Sequence, residues 1–192
     1  EIVSRDWSSD VCSSDLTPYL ESLRGNEIIR VEMVCHGNIC RSPMAAAMMH
    51  GKAQNIEIPK FVVTSSGTSA FHEGEGAHPL SQKTWENHGF TYSHTSKPFK
   101  KSSFDSVDIF LVADQTNRAM IMNSCRGDSD REKVFLLRQF DPALSAIDPF
   151  GRDSDSLIVP DPWGYEIDAY EEVYAQIELA LDGLIDYFAK ER

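Results

Sequence analysis

Apolar and polar positions divide the chain into short apolar runs that alternate with longer segments of helical periodicity. The apolar runs are rich in β-branched residues and predict strands at residues 28–34, 61–65, 107–113 and 133–137. The other segments predict helices at residues 42–53 and 79–87, from residue 115 onward, and at residues 168–190. Short apolar strands alternating with helices are typical of a parallel sheet that is buried on both faces. The pattern therefore predicts a three-layer α/β fold with a four-stranded parallel sheet.

Signals at the helix ends support these limits. Pro79 stands at the start of the second predicted helix, and Gly89 lies just past its end. Asp114 is the expected N-cap of the third helix, and Asp168 and Glu171 have the spacing of a capping box at the start of the last. The last helix carries an apolar stripe, whose members are Val173, Ile177, Leu181, Leu184, Ile185 and Phe188.

The loop between the first predicted strand and helix has the sequence Cys-His-Gly-Asn-Ile-Cys-Arg-Ser-Pro at residues 35–43. Its backbone N–H groups and the N-terminus of the following helix together form an anion site. Five residues separate Cys35 from Arg41, so the backbone can wrap once around a tetrahedral oxyanion while the guanidinium binds two of its oxygens. Cys35 would then lie beneath the phosphorus as a nucleophile, its thiolate favoured by the helix N-terminus and by Arg41.

Two more residues of this loop suit the same chemistry. Ser42 can donate a hydrogen bond to the Cys35 sulfur, and Asn38 tolerates a left-handed backbone and can bond locally. The alternative is a structural cysteine beside a surface arginine, which the spacing alone would not exclude. The strand before the loop, the Ser-Pro and helix after it, and Gly37 and Asn38 within it favour the phosphate loop.

The motif Cys-x-Gly-Asn-Ile-Cys-Arg-Ser-Pro resembles the signature of the low-molecular-weight protein tyrosine phosphatases. The resemblance implies a flavodoxin-like fold, a phosphocysteine intermediate on Cys35 and a phosphate clamp at Arg41. It also implies a phosphate-binding loop formed by His36, Gly37, Asn38, Ile39, Cys40 and Ser42. A reversible disulfide between Cys35 and Cys40, which would protect the nucleophile from overoxidation, is implied in the same way. The other interpretation of Cys40 is a small buried hydrophobic residue.

The proton donor for the leaving group is expected to be a carboxylic acid on a loop. Three Asp-Pro pairs begin at Asp141, Asp148 and Asp161, although such a pair alone usually marks only a turn. Asp161 lies a few residues before the last predicted helix, where the resemblance also places the family's acid. We therefore expect Asp161 to be the general acid and base, with Asp148 second. Trp163 would form a flat apolar wall for an aromatic leaving group.

Three further assignments rest on the resemblance. Phe71 matches the family's second aromatic wall, where tryptophan or tyrosine is more usual, so the departure bears on substrate preference. Ser65 and His94 match positions whose side chains hydrogen-bond the loop asparagine, here Asn38. The segment at residues 93–98 departs from the family, which usually carries arginine near Ser96.

Composition and charge limit the classes of partner. With 192 residues, 41% of them hydrophobic, the chain can bury one core, and its net charge of −12 argues against nucleic acid or an anionic membrane as a partner. No segment has the length of a transmembrane helix or the pattern of a signal peptide. The four cysteines do not form a secreted disulfide framework, and no cluster has metal-ligand spacing. We expect a cytoplasmic enzyme without cofactor or metal, a monomer or weak dimer.

The start of the chain differs from the rest. Residues 6–16 are rich in serine and aspartate, lack any period, and resemble one reading frame of a common sequencing adapter. We therefore expect residues 1–16, including Cys12, to be a non-native segment without a chemical role. Residues 17–27 form an N-terminal flank in this interpretation, and residues 28–192 form the phosphatase domain.

Three alternative functions remain open at this level. Arsenate reductases of the same fold use two further cysteines near the third strand and the following helix, and residues 113–121 contain none. Phosphoarginine phosphatases usually carry threonine at the position of Ile39. A phosphate-binding module without turnover would more readily lack Arg41 or the acid, and both are present. We therefore predict a phosphatase that acts on phosphotyrosine proteins or other aryl phosphates.

Overall fold

The computed structural model describes residues 17–189, which form a single parallel sheet with helices on both faces. The strands are β1 (Ile28–Cys35), β2 (Lys60–Gly67), β3 (Ile109–Val112) and β4 (Val134–Leu136). The helices are α1 (Thr17–Leu23), α2 (Arg41–Ala53), α3 (Pro79–Asn87), α4 (Gln115–Ser124), α5 (Asp128–Arg131) and α6 (Ile167–Ala189). The predicted three-layer α/β fold is confirmed.

Side chains of the strands alternate between two apolar cores. Ile29, Val31 and Met33 of β1 point into the larger core, which also contains buried residues of α1, α2 and α6. Val34 points to the opposite side, into a smaller core that includes Ile121 of α4. Both faces of the sheet are therefore covered, which explains why the strands are nearly continuous apolar runs in the sequence.

The strand order places the end of β1 at the point where the topology changes direction. The order is β2-β1-β3-β4 with all neighbours parallel, as at the start of the flavodoxin-like order 2-1-3-4-5. The chain leaves β1 towards β2 on one side and later returns to β3 on the other. A crevice therefore opens beyond the carboxyl ends of β1 and β3, and Cys35 lies at its base.

Several local predictions were wrong. α6 begins at Ile167, so Asp168 lies within the first turn and the predicted capping box with Asp168 as N-cap is not formed. β3 covers only Ile109–Val112, because Val107 and Asp108 precede its ladder. The short helix α5 was not predicted. The apolar stripe of α6 is buried as predicted, except that Ile185 is only partly buried at its edge.

The N-terminal flank contains a helix that the sequence analysis did not predict. In α1 the side chains of Leu20 and Leu23 are buried, and the Tyr19 hydroxyl donates to the Asp108 carbonyl at 2.7 Å. The predicted non-native segment at residues 1–16 lies outside the described residues. Within residues 17–189, no helix combines the length and the apolar character needed to cross a membrane.

At Gly183 the backbone of α6 lies close to another backbone segment. A Cβ built on this residue would overlap the carbonyl oxygen of Phe140, in the turn Leu137–Phe140, and would lie 3.3 Å from Pro142 Cδ. Because the obstacle is backbone, it cannot move aside as a flexible side chain would. Gly183 is therefore required by the close approach of two backbones.

We predict that Gly183→Ala lowers the free energy of unfolding by about 1–3 kcal/mol, the usual effect of overpacking. Urea unfolding measures the change. Gly76→Ala is the matched control, because Gly76 lies outside the helices and strands, has no atom within 4 Å of its built Cβ and does not have a positive φ. Equal stability of the two variants would contradict the predicted close contact.

Candidate active site

The segment at residues 35–41 connects the carboxyl end of β1 to the first turn of α2 as a tight loop. Within it Asn38 has a φ of 55°, in the left-handed region that asparagine tolerates. The side chain of Asn38 is fully buried and fixed from both ends. Its Oδ1 accepts from the Lys97 backbone N–H at 3.0 Å, and its Nδ2 donates to Ser65 Oγ at 3.0 Å and to Ser42 Oγ at 2.8 Å.

The first half of the loop is bound through its carbonyl groups to segments outside it. The carbonyl oxygens of Cys35 and His36 accept from the backbone N–H groups of Thr68 and Ser69, both at 2.9 Å. The Gly37 carbonyl accepts from Ser96 Oγ at 3.0 Å. Ser96 takes this role at the place where the resemblance suggested an arginine.

The second half of the loop is bound in the same way. The Asn38 carbonyl contacts His94 Nε2 at 2.7 Å, the Ile39 carbonyl accepts from the His78 backbone N–H at 2.8 Å, and the Cys40 carbonyl accepts from Ser81 Oγ at 2.8 Å. All six carbonyl groups from residue 35 to residue 40 thus face donors outside the loop. Because the C=O and N–H of a trans peptide point in opposite directions, the N–H groups of residues 36–41 face the loop's interior. Such a ring of N–H groups binds an anion.

Cys35 lies at the base of this ring with a hydroxyl donor beside its sulfur. Ser42 Oγ is 3.0 Å from Cys35 Sγ and receives the Nδ2–H of Asn38, so the Ser42 hydroxyl proton is available for the sulfur. A second acceptor, the Ser66 carbonyl, is farther away at 3.4 Å. The shorter of the two contacts is the one to sulfur, so the Ser42 hydroxyl is placed to donate to Cys35 Sγ.

Arg41 is the only positive side chain placed in the loop, and it is 4% exposed. Its Nη1 contacts Asp114 Oδ2 at 2.7 Å and the Val159 carbonyl at 3.1 Å, and its Nη2 contacts Asp161 Oδ2 at 2.9 Å. Burial alone would lower the pKa of Arg41, but the charges of Cys35, Asp161 and Asp114 outweigh it and raise that pKa. The buried Nε–H has no acceptor among the described residues. Arg41 therefore stays charged and keeps one donor for a bound anion.

Asp114 is a site residue that the sequence analysis identified only as a helix cap. Its Oδ1 accepts from the Asn117 N–H at 2.7 Å as the N-cap of α4, while its Oδ2 binds Arg41. One carboxylate therefore connects the end of β3 to the loop after β1. The available signal was its position directly after the third predicted strand, because in the flavodoxin-like order that strand neighbours the first and their carboxyl ends share one edge of the sheet.

The structure separates the three Asp-Pro pairs by their contacts. Asp161 binds Arg41 and lines the same pocket as Cys35. Asp148 instead accepts from the Phe150 N–H at 2.9 Å in a turn, and that turn is held at Arg118, which lies 3.9 Å from the Phe150 ring centroid. Asp141 is 2% exposed and accepts from the Ala143 N–H at 3.0 Å as a cap. Only Asp161 among the three contacts the loop.

The pocket above Cys35 has a volume of about 270 Å³. Phe71 and Trp163 are its aromatic walls, and both are largely exposed, at 84% and 63%. His72, which the sequence analysis did not assign, also lines it and contacts Glu75 through Nδ1 at 2.8 Å. The complete lining is Cys35, His36, Gly37, Ile39, Cys40, Arg41, Phe71, His72, Asp161 and Trp163. A cysteine sulfur at the floor, a ring of N–H groups above it and apolar walls suit a phosphate monoester that carries an aromatic ring.

A sequence model of low molecular weight phosphotyrosine protein phosphatases matches residues 30–192. The chain belongs to this family. A low molecular weight protein-tyrosine-phosphatase from Streptomyces coelicolor is 36% identical over 157 residues, which cover 81% of this chain and 91% of that protein. The low molecular weight protein-tyrosine phosphatase A of Mycobacterium tuberculosis is 32% identical over 160 residues, 83% of this chain and 91% of that protein.

Solved structures of the family share the fold. A protein tyrosine phosphatase from Entamoeba histolytica superposes with a TM-score of 0.72 at 28% identity, covering 82% of this chain and 95% of that one. The arginine phosphatase YwlE from Geobacillus stearothermophilus gives a TM-score of 0.66 at 29% identity, covering 82% of this chain and 91% of that one. This chain is therefore an enzyme of a family whose solved structures include proteins named tyrosine phosphatase and proteins named arginine phosphatase.

The two other cysteines among the described residues differ in their surroundings. Cys40 is buried next to the Tyr170 hydroxyl, 3.9 Å from its sulfur, and burial raises the pKa of its thiol to about 12. Cys125 lies at the C-terminus of α4, where its Sγ donates to the Ile121 carbonyl, and it does not line the pocket. Cys35 and Cys40 are both free thiols, and a disulfide between them stays a prediction.

His94 gives the loop a pH-dependent support. Its pKa is lowered chiefly by burial, with a further contribution from Lys97, while the bond to the Asn38 carbonyl acts in the opposite direction. The neutral imidazole is therefore the form that the fold favours, with Nε2–H as the donor to Asn38. The neutral His94 side chain can therefore donate to the Asn38 carbonyl without being protonated at both nitrogens.

We predict that the stability contributed by His94 depends on pH. Because its folded-state pKa is lowered, this contribution is present above the unfolded pKa of about 6.5 and is lost as pH falls from there towards the folded-state value. Urea unfolding near pH 7.5 and near pH 5 should show a larger loss on acidification for the wild type than for His94→Gln, whose amide donates at either pH. Equal losses would contradict the prediction.

Proposed function

We propose that this protein hydrolyses phosphotyrosine and other aryl phosphate monoesters through a phosphocysteine intermediate on Cys35. The observation that carries the proposal is the ring of six outward-facing carbonyls, which turns the N–H groups of residues 36–41 towards the interior of the loop that begins at Cys35. The names of the relatives, and membership of the family, support the same activity. The substrate class is a phosphoprotein.

The first chemical step transfers the phosphoryl group to sulfur. The loop N–H groups and the Arg41 Nε–H would bind the non-bridging oxygens and hold the phosphorus over Cys35 Sγ. The thiolate attacks the phosphorus, the S–P bond forms, and the bond to the leaving phenolic oxygen breaks. Asp161, placed at the pocket wall beside Arg41, would give its proton to that oxygen.

The second step returns the enzyme to its starting state. Asp161, now a carboxylate, would take a proton from a water molecule that attacks the phosphorus. The S–P bond breaks, inorganic phosphate leaves, and Cys35 is again a thiolate. The Ser42 hydroxyl at 3.0 Å stabilises that leaving thiolate, which lowers the barrier of this step.

The walls of the pocket support an aryl substrate. Phe71 and Trp163 offer flat apolar faces at the mouth, where a phenyl ring bound through its phosphate can stack. Ile39, at the position where phosphoarginine phosphatases usually carry threonine, also lines the pocket and is 8% exposed. Phosphoarginine is nevertheless the rival substrate, because arginine phosphatases are among the structural relatives. A reducing compartment such as the cytoplasm fits a mechanism that needs a free Cys35 thiol.

The first experiment is hydrolysis of p-nitrophenyl phosphate in the presence of EDTA. We predict that the wild type turns over and is inhibited by vanadate, while Cys35→Ser is inactive because serine is a far poorer nucleophile here. Equal activity in the two proteins would show that Cys35 is not the nucleophile. Activity towards phosphoarginine peptides that exceeds activity towards phosphotyrosine peptides would favour the rival substrate.

A second prediction separates the candidate acids. Asp161→Asn should lower kcat by about 100- to 10,000-fold, the usual contribution of general acid–base catalysis. Asp148→Asn removes the same charge from a turn that does not contact the loop, so kcat should change by less than about twofold. Steady-state kinetics with p-nitrophenyl phosphate measure both variants. A larger effect of Asp148→Asn would overturn the assignment of Asp161.

A further inference from the structure

The buried side chains of Cys40 and Tyr170 and the partly buried side chain of His78 form a group beside the phosphate loop. Tyr170 of α6 is fully buried, and its hydroxyl lies 3.0 Å from His78 Nδ1 and 3.9 Å from Cys40 Sγ. The rings of Tyr170 and His78 are nearly parallel, with their centroids 5.3 Å apart. The proposed reaction does not use either side chain.

The contacts of this group meet at two atoms, His78 Nδ1 and the Tyr170 hydroxyl oxygen. The Leu80 backbone N–H donates to His78 Nδ1 at 3.3 Å, so Nδ1 is an acceptor, and its one lone pair is shared with the closer Tyr170 hydroxyl as second donor. The Tyr170 oxygen also contacts the Cys40 sulfur, at 3.9 Å. Tyr170 therefore connects Cys40 of the loop to the imidazole of His78.

His78 connects this group to the loop backbone. As the N-cap of α3 it accepts from Leu80 through its side chain, and its own backbone N–H donates to the Ile39 carbonyl at 2.8 Å. Ser81, in the first turn of the same helix, donates to the Cys40 carbonyl at 2.8 Å. The start of α3 thus orients two of the six loop carbonyls, and with them the N–H groups of the following residues.

We propose that Tyr170 and His78 are positioning residues that fix the Ile39–Cys40 part of the phosphate loop. Tyr170 holds the His78 imidazole, His78 holds the start of α3, and α3 holds the two carbonyls. This role rests on the proposed phosphatase function, because it acts on the affinity of the loop for phosphate.

A second tyrosine–histidine pair between the same two helices supplies the matched control. Tyr174, one turn after Tyr170 in α6, stacks on His88 beyond the C-terminal end of α3, with ring centroids 3.8 Å apart. Its hydroxyl donates to Glu178 at 3.2 Å and contacts no loop residue. Both tyrosines are buried and both join α3 to α6, but only Tyr170 is connected to the loop.

The test compares Tyr170→Phe with Tyr174→Phe in the full chain. Each variant loses one hydroxyl and keeps its ring, and inorganic phosphate is the probe, measured as a competitive inhibitor of p-nitrophenyl phosphate hydrolysis. We expect Tyr170→Phe to weaken phosphate inhibition by about two- to tenfold, the range of one lost hydrogen bond, with a parallel rise in KM. Tyr174→Phe should leave both values unchanged.

A second variant tests the path through His78. His78→Asn keeps an N-cap acceptor for Leu80 but is too short to reach Tyr170, so it should weaken phosphate inhibition as Tyr170→Phe does. The double variant should be no weaker than either single variant, because both changes break the same contact. Additive effects would overturn the proposed path.

The outcomes distinguish failure of the positioning role from failure of the proposed phosphatase function. The positioning role is wrong if phosphate inhibits Tyr170→Phe as strongly as the wild type and turnover is also unchanged. It is also wrong if phosphate inhibition is weakened equally in Tyr174→Phe, at matched stability in urea. In either case the phosphatase function stands. If the wild type neither hydrolyses aryl phosphates nor binds phosphate, the proposed function itself is wrong.

Discussion

The orientation of six peptide groups is the constraint on which this site depends. A trans peptide cannot turn its N–H inward unless its C=O turns outward, and an outward carbonyl in a protein interior needs a donor. Three separate parts of the fold supply those donors: the segment after β2, the segment around Ser96, and the start of α3. The phosphate loop is therefore short in sequence, but its shape is set by elements up to 59 residues away. Side chains inside the loop contribute little to this ring, apart from Asn38, which ties it to Ser65 and Lys97.

Two carboxylates balance the charge of the buried Arg41 side chain. A buried guanidinium is unfavourable unless it is paired, and here Asp114 and Asp161 pair with it from two directions. Asp114 is fixed by its second role as the cap of α4, whereas Asp161 is about half exposed on a loop. In the proposed reaction the fixed carboxylate keeps Arg41 in place, and the exposed one is the partner that can exchange Arg41 for contact with the leaving oxygen. The two aspartates both pair with Arg41, and they differ in exposure and in the helix-cap bond that only Asp114 makes.

Local signals in the sequence were sufficient for the fold and for the centre of the site. The apolar runs predicted all four strands, and the motif that starts at Cys35 predicted the loop, because strand, turn and helix propensities act over a few neighbouring residues. The distant partners were less accessible: Arg41 meets Asp114 across 73 residues and Asp161 across 120. Asp161 was ranked first among the acids by its position before the last helix and by the family resemblance. No part in the site was predicted for Asp114, Ser96 or His78. α1 was missed because two buried leucines in seven residues give too short a pattern.

The division between buried and exposed groups explains how one loop can serve different substrates. The ring of N–H groups in the phosphate loop is built from backbone and is held by contacts to other parts of the fold, so a change in it would disturb the sheet, α3 and α6 together. Phe71 and Trp163, in contrast, are 84% and 63% exposed and contribute little to the core, so they can change with small effects on stability. Relatives named for tyrosine and for arginine phosphatase activity share this fold. Selectivity between such substrates is therefore expected to lie in the walls and in single lining positions such as Ile39, while the phosphoryl chemistry stays with the buried loop.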